Sequence, residues 1–243
     1  MTCFALTDKG IVRRQNQDVG YVNGTLAPDT ALVLVCDGMG GARSGQVASQ
    51  LAADVFVEKI SGLLQRYPSA SAADLLQEAV KEANKAVYAK SQSDARYYGM
   101  GTTLVAALLR GTECCVLNVG DSRAYHISQR QIRRITRDHS VVAELVARGD
   151  ITEEESLHHP NRNLITRALG TEESVRADTF FVTVAQEEYI LLCSDGLSNM
   201  LSDSELLAEL KNDCSIEAHC DNLVKSALIR GAPDNITVAL CRR

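Results

Sequence analysis

Residues 31–41 have the sequence ALVLVCDGMGG, an apolar run that ends at Asp37 and a glycine-rich segment. A short run rich in Val and Leu with glycine at its border is typical of a buried β-strand. Gly38, which has no side chain, lets the backbone approach another group closely and offer its carbonyl. The stretch therefore predicts a rigid strand that presents a carboxylate at its end.

The same arrangement recurs along the chain. Other apolar runs have the composition of buried strands. The strong ones span residues 104–109, 114–119, 189–193 and 236–241, and the weaker ones span 19–23, 124–128 and 180–184. Like Asp37, several further acids lie beside one of these runs: Asp18, Asp121, Asp195 and Asp234. The sequence therefore places five acidic side chains at predicted strand ends.

Helical periodicity appears in two pairs of segments. Apolar residues recur every three to five positions in residues 44–66 and 72–91, which predicts two amphipathic helices, and a later pair is predicted over 203–211 and 216–229. Because many strands follow one another without intervening helices, the expected fold class is α+β with antiparallel sheets. With no linker or repeat, residues 1–243 are expected to form one domain.

Composition excludes several classes of protein. The chain has 25 Lys and Arg against 31 Asp and Glu, a net charge of −6, which argues against a nucleic-acid-binding module. The longest uncharged stretch, residues 97–109, falls short of the roughly 20 residues that span a bilayer. The N-terminus lacks the basic and apolar regions of a secretory signal. The eight cysteines show no zinc-binding spacing, so reduced thiols in a cytoplasmic protein are expected.

The acids at strand ends have two interpretations. An Asp-Gly pair after a strand is most often a plain turn. Several carboxylates on one rim of a rigid sheet would instead repel one another unless a cation lay between them. Since no His or Cys occupies these positions, such a site would offer hard oxygen ligands, which suit Mg²⁺ or Mn²⁺ better than Zn²⁺. From the pattern alone, both interpretations stay open.

Eight motifs, taken in order, resemble the metal-dependent protein phosphatases (type 2C Ser/Thr phosphatases) in their compact bacterial form. Each motif is short, but together they extend over nearly the whole chain. They are residues 7–18 (TDKGIVRRQNQD), 37–41 (DGMGG), 99–103 (GMGTT), 118–123 (NVGDSR), 138–140 (DHS), 166–170 (TRALG), 194–197 (SDGL) and 231–237 (GAPDNIT).

The resemblance implies a four-layer α-β-β-α sandwich of two antiparallel sheets flanked by helix pairs, with a centre of two Mn²⁺ or Mg²⁺ ions at one end. It implies that Asp37 bridges both ions and that the Gly38 carbonyl binds the first. Asp195 and Asp234 would hold the second ion. Asp121, together with Asp195, matches the family's more labile third metal site.

Two further residues receive roles from the resemblance. Asp18 would order a metal-bound water, and Arg13 would grip the phosphate of the substrate. Taken alone, Arg13 would be interpreted as a solvated surface residue, as Arg14 is. Three positions depart from the family's pattern: Gln17 replaces a Glu, Met39 replaces the His of eukaryotic members, and Ala42 replaces a His found in many bacterial members. The acid that protonates the leaving group is therefore not evident, and a metal-bound water is expected to serve.

The implied activity is Ser/Thr phosphoprotein dephosphorylation by direct attack of a metal-activated water, opposing a Ser/Thr kinase. The expected partners are phosphoprotein substrates and a cognate kinase, without nucleic acid or membrane insertion, and the chain is expected to be a monomer. A non-catalytic phosphoprotein-binding regulator and a metal-dependent nuclease or phosphodiesterase are the competing hypotheses. The polar residues 140–163 correspond to a flap beside the active site, expected to be mobile and to bias substrate choice.

Several other polar residues have alternative interpretations. His139 could take part in catalysis or make a structural hydrogen bond, and His158 and His159 could bind metal or form a solvated loop pair. The basic group of Arg130, Arg133, Arg134 and Arg137 is by default a solvated face, although it could recognise a phosphoprotein. Residues 152–155 are expected to form a helix-capping box.

Overall fold

The computed structural model describes residues 1–41 and 44–243, so Ala42 lies outside the described residues. Two antiparallel sheets form its centre, and helices cover their outer faces. The strands are β1 (Thr2–Asp8), β2 (Asp18–Ala27), β3 (Thr30–Met39), β4 (Gly101–Thr102), β5 (Leu104–Arg110), β6 (Glu113–Val119), β7 (Arg123–Ile127), β8 (Ile132–Arg134), β9 (Asp178–Thr183), β10 (Tyr189–Cys193) and β11 (Ile236–Arg242). The helices are α1 (Ser44–Arg66), α2 (Ala72–Ser93), α3 (Val141–Arg148), α4 (Glu153–His158), α5 (Asp195–Ser198), α6 (Asp203–Leu210) and α7 (Ile216–Ile229), with a 3₁₀ turn at Ala95–Tyr97.

The strand order explains the α+β prediction. One sheet has the order β1-β11-β10-β7-β8, and the other has the order β2-β3-β5-β6-β9 with β4 added beside the end of β3. Neighbouring strands are antiparallel throughout both sheets. The predicted sandwich of two antiparallel sheets flanked by helices is therefore confirmed.

Alternating side chains of β3 build two different cores. Leu32 and Leu34 pack under α1 and α2, whereas Val33 and Val35 pack between the sheets. Successive residues of a strand point to opposite faces, so a strand covered on both sides is apolar at every position. This explains why residues 31–36 form a continuous apolar run. A third core joins the other sheet to α5, α6 and α7.

Local signals fix several helix boundaries. The Ser71 hydroxyl accepts a hydrogen bond from the Asp74 backbone N–H and caps α2. The predicted capping box is present at α4, where Thr152 and Glu155 each accept a hydrogen bond from the other's backbone N–H. Among the described residues, no helix is both long enough and apolar enough to cross a membrane.

One expectation from the sequence is wrong. Cys3 lies directly opposite Cys241 across β1 and β11, and the structure joins them as a disulfide, so these two thiols are not free. At Asp195 and Gly196, where a plain turn was one of the two open interpretations, the chain instead begins the short helix α5. The helix forms because the chain leaves β10 and immediately packs against the start of β11.

Close backbone contact at Gly196 generates a stability prediction. A Cβ atom at this position would lie 1.9 Å from the backbone oxygen of Asn235, so Gly196→Ala must separate the ends of β10 and β11. We expect a loss of about 1–3 kcal/mol in the free energy of unfolding, measured by denaturant titration.

Gly62→Ala provides the matched control. Gly62 lies exposed inside α1 and has open space around its Cα, so alanine there should stabilise the protein by about 0.5–1 kcal/mol. Equal unfolding free energies for the Gly196→Ala variant and the unmodified protein would contradict the packing argument.

Candidate metal centre

Asp18 and Asp37 face each other at the end of the β2–β3 pair, where their Cα atoms are partners in the register. The backbone of Asp37 is held by its neighbours: its N–H donates to Thr103 Oγ1 over 3.0 Å, and its carbonyl accepts from the Thr103 N–H over 2.8 Å and from Thr102 Oγ1 over 2.9 Å. Thr102 and Thr103 therefore anchor the end of β3 beside the acids.

Asp18 is a buried carboxylate with only half of its hydrogen-bonding capacity used. Its Oδ2 accepts hydrogen bonds from Ser194 Oγ and Thr237 Oγ1, each over 2.8 Å. Its Oδ1 is buried and has no partner among the described residues. Burial raises the Asp18 pKa to about 7, although the two hydroxyl hydrogen bonds oppose the shift.

Asp195 and Asp234 approach the pair from the other sheet. Asp195 begins α5, and its Oδ2 accepts from Asn199 Nδ2 over 3.1 Å, whereas its Oδ1 is buried without a partner among the described residues. Burial raises the Asp195 pKa to about 6, and the charge of Asp234 acts in the same direction. Two acids from one sheet therefore meet two from the other.

Asp37 lies among the other acids. Burial raises its pKa well above the usual value, and the charges of Asp18, Asp195, Asp121 and Asp234 raise it further. Asp121 lies in the turn after β6, where burial and the charge of Asp195 raise its pKa to about 7. These shared effects show that the five predicted acids occupy one region of the molecule.

Arg13 lies at the edge of this region. Its NH2 group donates to Asp234 Oδ2 over 2.7 Å, and both side chains remain partly exposed. The hydrogen bond to Asp234 raises the Arg13 pKa above its usual value, and the charges of Asp37 and Asp195 contribute. Arg14 is exposed, as expected.

Gly38 has a packing role that the sequence does not reveal. A Cβ atom here would lie 2.2 Å from the backbone oxygen of Gly45 at the start of α1. The Gly38 N–H donates to the carbonyl of Gln17 over 3.1 Å, and Ser49 Oγ donates to the same carbonyl over 2.6 Å. Gln17 stands where the family has Glu. Its backbone carbonyl joins β3 to α1 through these two hydrogen bonds. Met39 ends β3 beside Gly101.

The donor atoms fit a hard divalent cation. The acids contribute carboxylate oxygens, and two buried oxygens, Asp18 Oδ1 and Asp195 Oδ1, have no partner among the described residues. Arg123, the other nearby cation, is engaged with Asp138 over 2.8 Å. No three of these acids have carboxylate oxygens within 4.8 Å of one another, and the one such trio of ligand-type side chains in the described chain lies at the junction of α6 and α7. Ligands divided between two ions roughly 3.5–4 Å apart have no need to converge so tightly.

A cleft of about 640 Å³ leads from the acids to α3 and α4. Its walls combine the acid cluster with residues of the predicted flap, His158 and Arg162 among them. His159 is directed elsewhere, and its Nδ1 accepts a hydrogen bond from the Asn161 N–H over 3.1 Å. The cleft has room for a phosphorylated side chain beside the acids.

His139 makes a structural contact. Its Nδ1 accepts a hydrogen bond from the Gly120 N–H over 3.1 Å, and its Nε2 lies 3.4 Å from Asp178. The contact holds the turn that carries Asp121. In the basic group, Arg134 pairs with Asp138, whereas Arg130, Arg133 and Arg137 are in no ion pair within the part of the chain that is described.

Several residues that support the site were not singled out by the sequence analysis. Ser194 and Thr237 hold Asp18, and Asn235 ties the N-terminal loop to the start of β11. The Asn235 side chain donates to the carbonyls of Lys9 and Gln15 over 2.8 and 2.9 Å and accepts from the Gln17 N–H over 2.8 Å. All three lie inside quoted motifs, so their polar character within apolar surroundings was the available signal.

Comparison with known proteins identifies the family to which this chain is similar. The family model for Protein phosphatase 2C matches residues 13–225. The chain is 38% identical over 237 residues to the serine/threonine phosphatase Stp of Listeria monocytogenes, covering 98% of this chain and 94% of that protein. The crystal structure of the serine/threonine phosphatase Stp1 from Staphylococcus aureus superposes with a TM-score of 0.87 at 38% identity, covering 99% of this chain and 94% of that one.

A third similar structure contains metal. It is the catalytic domain of the serine/threonine protein phosphatase PstP in complex with two manganese ions. It is 34% identical to this chain, with a TM-score of 0.85 and coverage of 98% of this chain and 96% of that one.

The crowding of carboxylates predicts a pH-dependent response to Asp195→Asn. The Asp195 pKa lies near 6, above the ordinary value of 3.8, so in the metal-free protein this group contributes stability at low pH that is lost as pH rises through 6. The amide does not ionise. We therefore expect the variant, measured by calorimetry with chelator, to have a higher Tm than the unmodified protein at pH 8, by about 2–4 °C per kcal/mol of repulsion removed, and a smaller increase in Tm at pH 5, where Asp195 of the folded protein is still largely protonated.

Asp54→Asn is the control, because Asp54 is exposed on α1 and lies outside the cluster. Its Tm should follow that of the unmodified protein at both pH values. An Asp195→Asn variant that is equally destabilised at pH 5 and pH 8 would contradict the electrostatic account.

Proposed function

Since this chain belongs to the protein phosphatase 2C family and is therefore a protein phosphatase, we propose that it hydrolyses phosphoserine and phosphothreonine in proteins by direct attack of a metal-activated water. The observation that carries this proposal is the meeting of five acids and Arg13 in one region, where Arg13, Asp121, Asp195 and Asp234 line the cleft. The phosphoprotein substrates would come from a Ser/Thr kinase that the enzyme opposes, and we propose that it acts as a cytoplasmic monomer built as one domain.

The acids are proposed to hold two Mn²⁺ or Mg²⁺ ions. Asp37 would contribute to both ions and the Gly38 carbonyl to the first, while Asp195 and Asp234 would hold the second. Asp121, with Asp195, would hold a third. Bound there, the ions would supply Lewis-acid activation of the attacking water and neutralise phosphate charge.

Asp18 is suited to orient the attacking water. Its Oδ2 is fixed by Ser194 and Thr237, which leaves Oδ1 as an acceptor whose direction is set by the protein. A carboxylate held in this way can accept a hydrogen bond from water and align its lone pair toward phosphorus without reorganising during the reaction.

Arg13 is suited to bind the phosphate. In the absence of substrate it pairs with Asp234, and such partly exposed pairs contribute at most about 1 kcal/mol. Exchanging this partner for a phosphate oxygen is therefore inexpensive. The planar guanidinium can donate two parallel hydrogen bonds to phosphate, which a lysine cannot do.

Covalent catalysis by a nearby cysteine is disfavoured. Cys36 directly precedes Asp37 in β3, and Cys193 is the last residue of β10, but both are buried. Burial raises the pKa of the Cys193 thiol to about 12 and that of Cys36 far above its usual value. Neither would be a thiolate near neutral pH, which favours water as the nucleophile.

The flap, residues 140–163, is proposed to bias the choice among phosphopeptides. It contributes His158 and Arg162 to the cleft, where the residues that flank a phosphorylated side chain would lie. Leu157 of the same segment also lines the cleft and is 66% exposed, so it offers an apolar contact. Unlike the acid cluster, these side chains are basic or apolar. They would contact the peptide around the phosphorylated residue rather than the phosphate itself.

Metal-dependent turnover tests the proposal. With Mn²⁺, the protein should hydrolyse both an aryl phosphate and a phosphothreonine peptide, and chelator should abolish the activity. Asp37→Asn should reduce turnover by about 100-fold or more, because it removes a carboxylate from the middle of the acid cluster. Asp54→Asn is the control and should retain activity. Turnover that persists in chelator, or that Asp37→Asn leaves intact, would refute the mechanism.

The neighbouring arginines test phosphate recognition. Arg13→Ala should lower kcat/KM by about 10- to 100-fold, the loss expected for a charge-assisted hydrogen bond. Arg14→Ala, the matched control, should leave kcat/KM nearly unchanged. Similar kinetics for both variants would contradict the assignment of Arg13, and Arg13→Lys should restore only part of the loss.

A further inference from the structure

A second cluster of ligand-type side chains lies at the junction of α6 and α7. Glu209 comes from the last turn of α6, Cys214 from the connection, and His219 from the second turn of α7. One potential ligand atom from each of the three lies within 4.8 Å of the others. Cys214 Sγ is 3.3 Å from His219 Nδ1, which is itself 3.3 Å from Glu209 Oε1.

Hydrogen bonding alone satisfies this cluster incompletely. His219 is fully buried, and its Nδ1 lies near both the Cys214 sulfur and the Glu209 carboxylate, while its Nε2 is 3.7 Å from the same sulfur. A proton on Nδ1 would have to be shared between the sulfur and the carboxylate oxygen, and a single N–H gives each of two acceptors only part of a hydrogen bond. Cys214 and Glu209 are only half-buried, which leaves a route from solvent to the shared space.

The separations match those around a tetrahedral zinc ion. Zinc binds sulfur at about 2.3 Å and nitrogen or oxygen at about 2.0–2.2 Å, which places neighbouring ligand atoms about 3.3–3.6 Å apart in a tetrahedron. The two 3.3 Å separations of the cluster already approach these values. Asn222 Nδ2 donates to Glu209 Oε1 over 2.9 Å and thus helps to orient the carboxylate, as outer partners do in metal sites.

We propose that Glu209, Cys214 and His219 form a Zn²⁺ site with a fourth, solvent-facing position for water. Thiolate and imidazole prefer zinc to the hard ions Mg²⁺ and Mn²⁺, so this site selects a different metal from the aspartate centre. Binding releases the thiol proton to solvent, and the thiolate and carboxylate charges then balance the ion.

The zinc site is separate from the aspartate centre. The His219 ring packs edge-on against Tyr189 with 5.8 Å between ring centroids, and Tyr189 begins β10. Asp195 follows the other end of the same strand, so the two sites are about 20 Å apart at the rise of an extended chain. Zinc at α6–α7 would therefore tie these helices together without contacting the catalytic acids.

Cobalt spectroscopy tests the site. Co²⁺ replaces zinc in such sites and gives a near-ultraviolet charge-transfer band when a thiolate is a ligand. In the reduced protein with saturating Mg²⁺, which occupies the aspartate centre, Co²⁺ should produce this band and Zn²⁺ should abolish it. Cys214→Ser should remove the band, and Glu209→Gln should weaken Zn²⁺ binding by about tenfold or more in calorimetric titration.

Glu217→Gln is the matched control for Glu209→Gln, because Glu217 is exposed in the first turn of α7 and lies outside the trio. It should retain both the band and the zinc affinity. Circular dichroism and thermal unfolding establish that each variant is folded before binding is measured. Absence of the band in the unmodified protein, or a band that survives Cys214→Ser, would overturn the proposal.

Discussion

Mutual repulsion among buried carboxylates is the constraint on which this structure depends. Asp37 lies within the electrostatic reach of four other acids, in surroundings that disfavour its charge. Arg13 and Arg123 offset part of this repulsion at Asp195. The two buried carboxylate oxygens without partners in the described chain show that the compensation is incomplete. Folding thus tolerates an arrangement that the proposed divalent cations would make favourable.

Rigid secondary structure holds the acids in place despite this repulsion. Asp18 and Asp37 are paired across β2 and β3, while Asp195 and Asp234 flank β10 and β11, which are neighbours in the opposite sheet. Asp18 connects the two sheets through its hydrogen bonds to Ser194 and Thr237. The sandwich interior between β3 and β10 is apolar and closely packed, so movement of one acid requires movement of a whole strand.

The sequence predicted those elements whose signals are local. The limits of α1 and α7 agree with the predicted helices at residues 44–66 and 216–229, because amphipathic periodicity and the capping Ser215 are both local features. β1 was not predicted, since it is half-buried and its partner β11 lies more than 200 residues away. β8 was also missed, because its three residues include two arginines.

In the candidate site, too, the sequence predicted the features that have local signals and missed those that depend on the fold. Apolar runs that end in aspartate indicated which acids lie at strand ends, and the family's motifs supplied roles that remain predictions. The Ser194 and Thr237 hydroxyls donate hydrogen bonds to Asp18 only because β10 and β11 approach β2 in the folded protein. The sequence alone does not reveal this approach. The trio at α6–α7 was missed for the same reason, because Glu209 comes from a different helix than His219.

A crystal structure of the protein soaked with Mn²⁺, with anomalous diffraction measured at the manganese edge, tests the central claim most directly. The account predicts two strong anomalous peaks among Asp37, Asp195 and Asp234, with Asp37 contributing to both. Anomalous density absent from the vicinity of Asp37 at saturating Mn²⁺, in protein that is active under the same conditions, would contradict it.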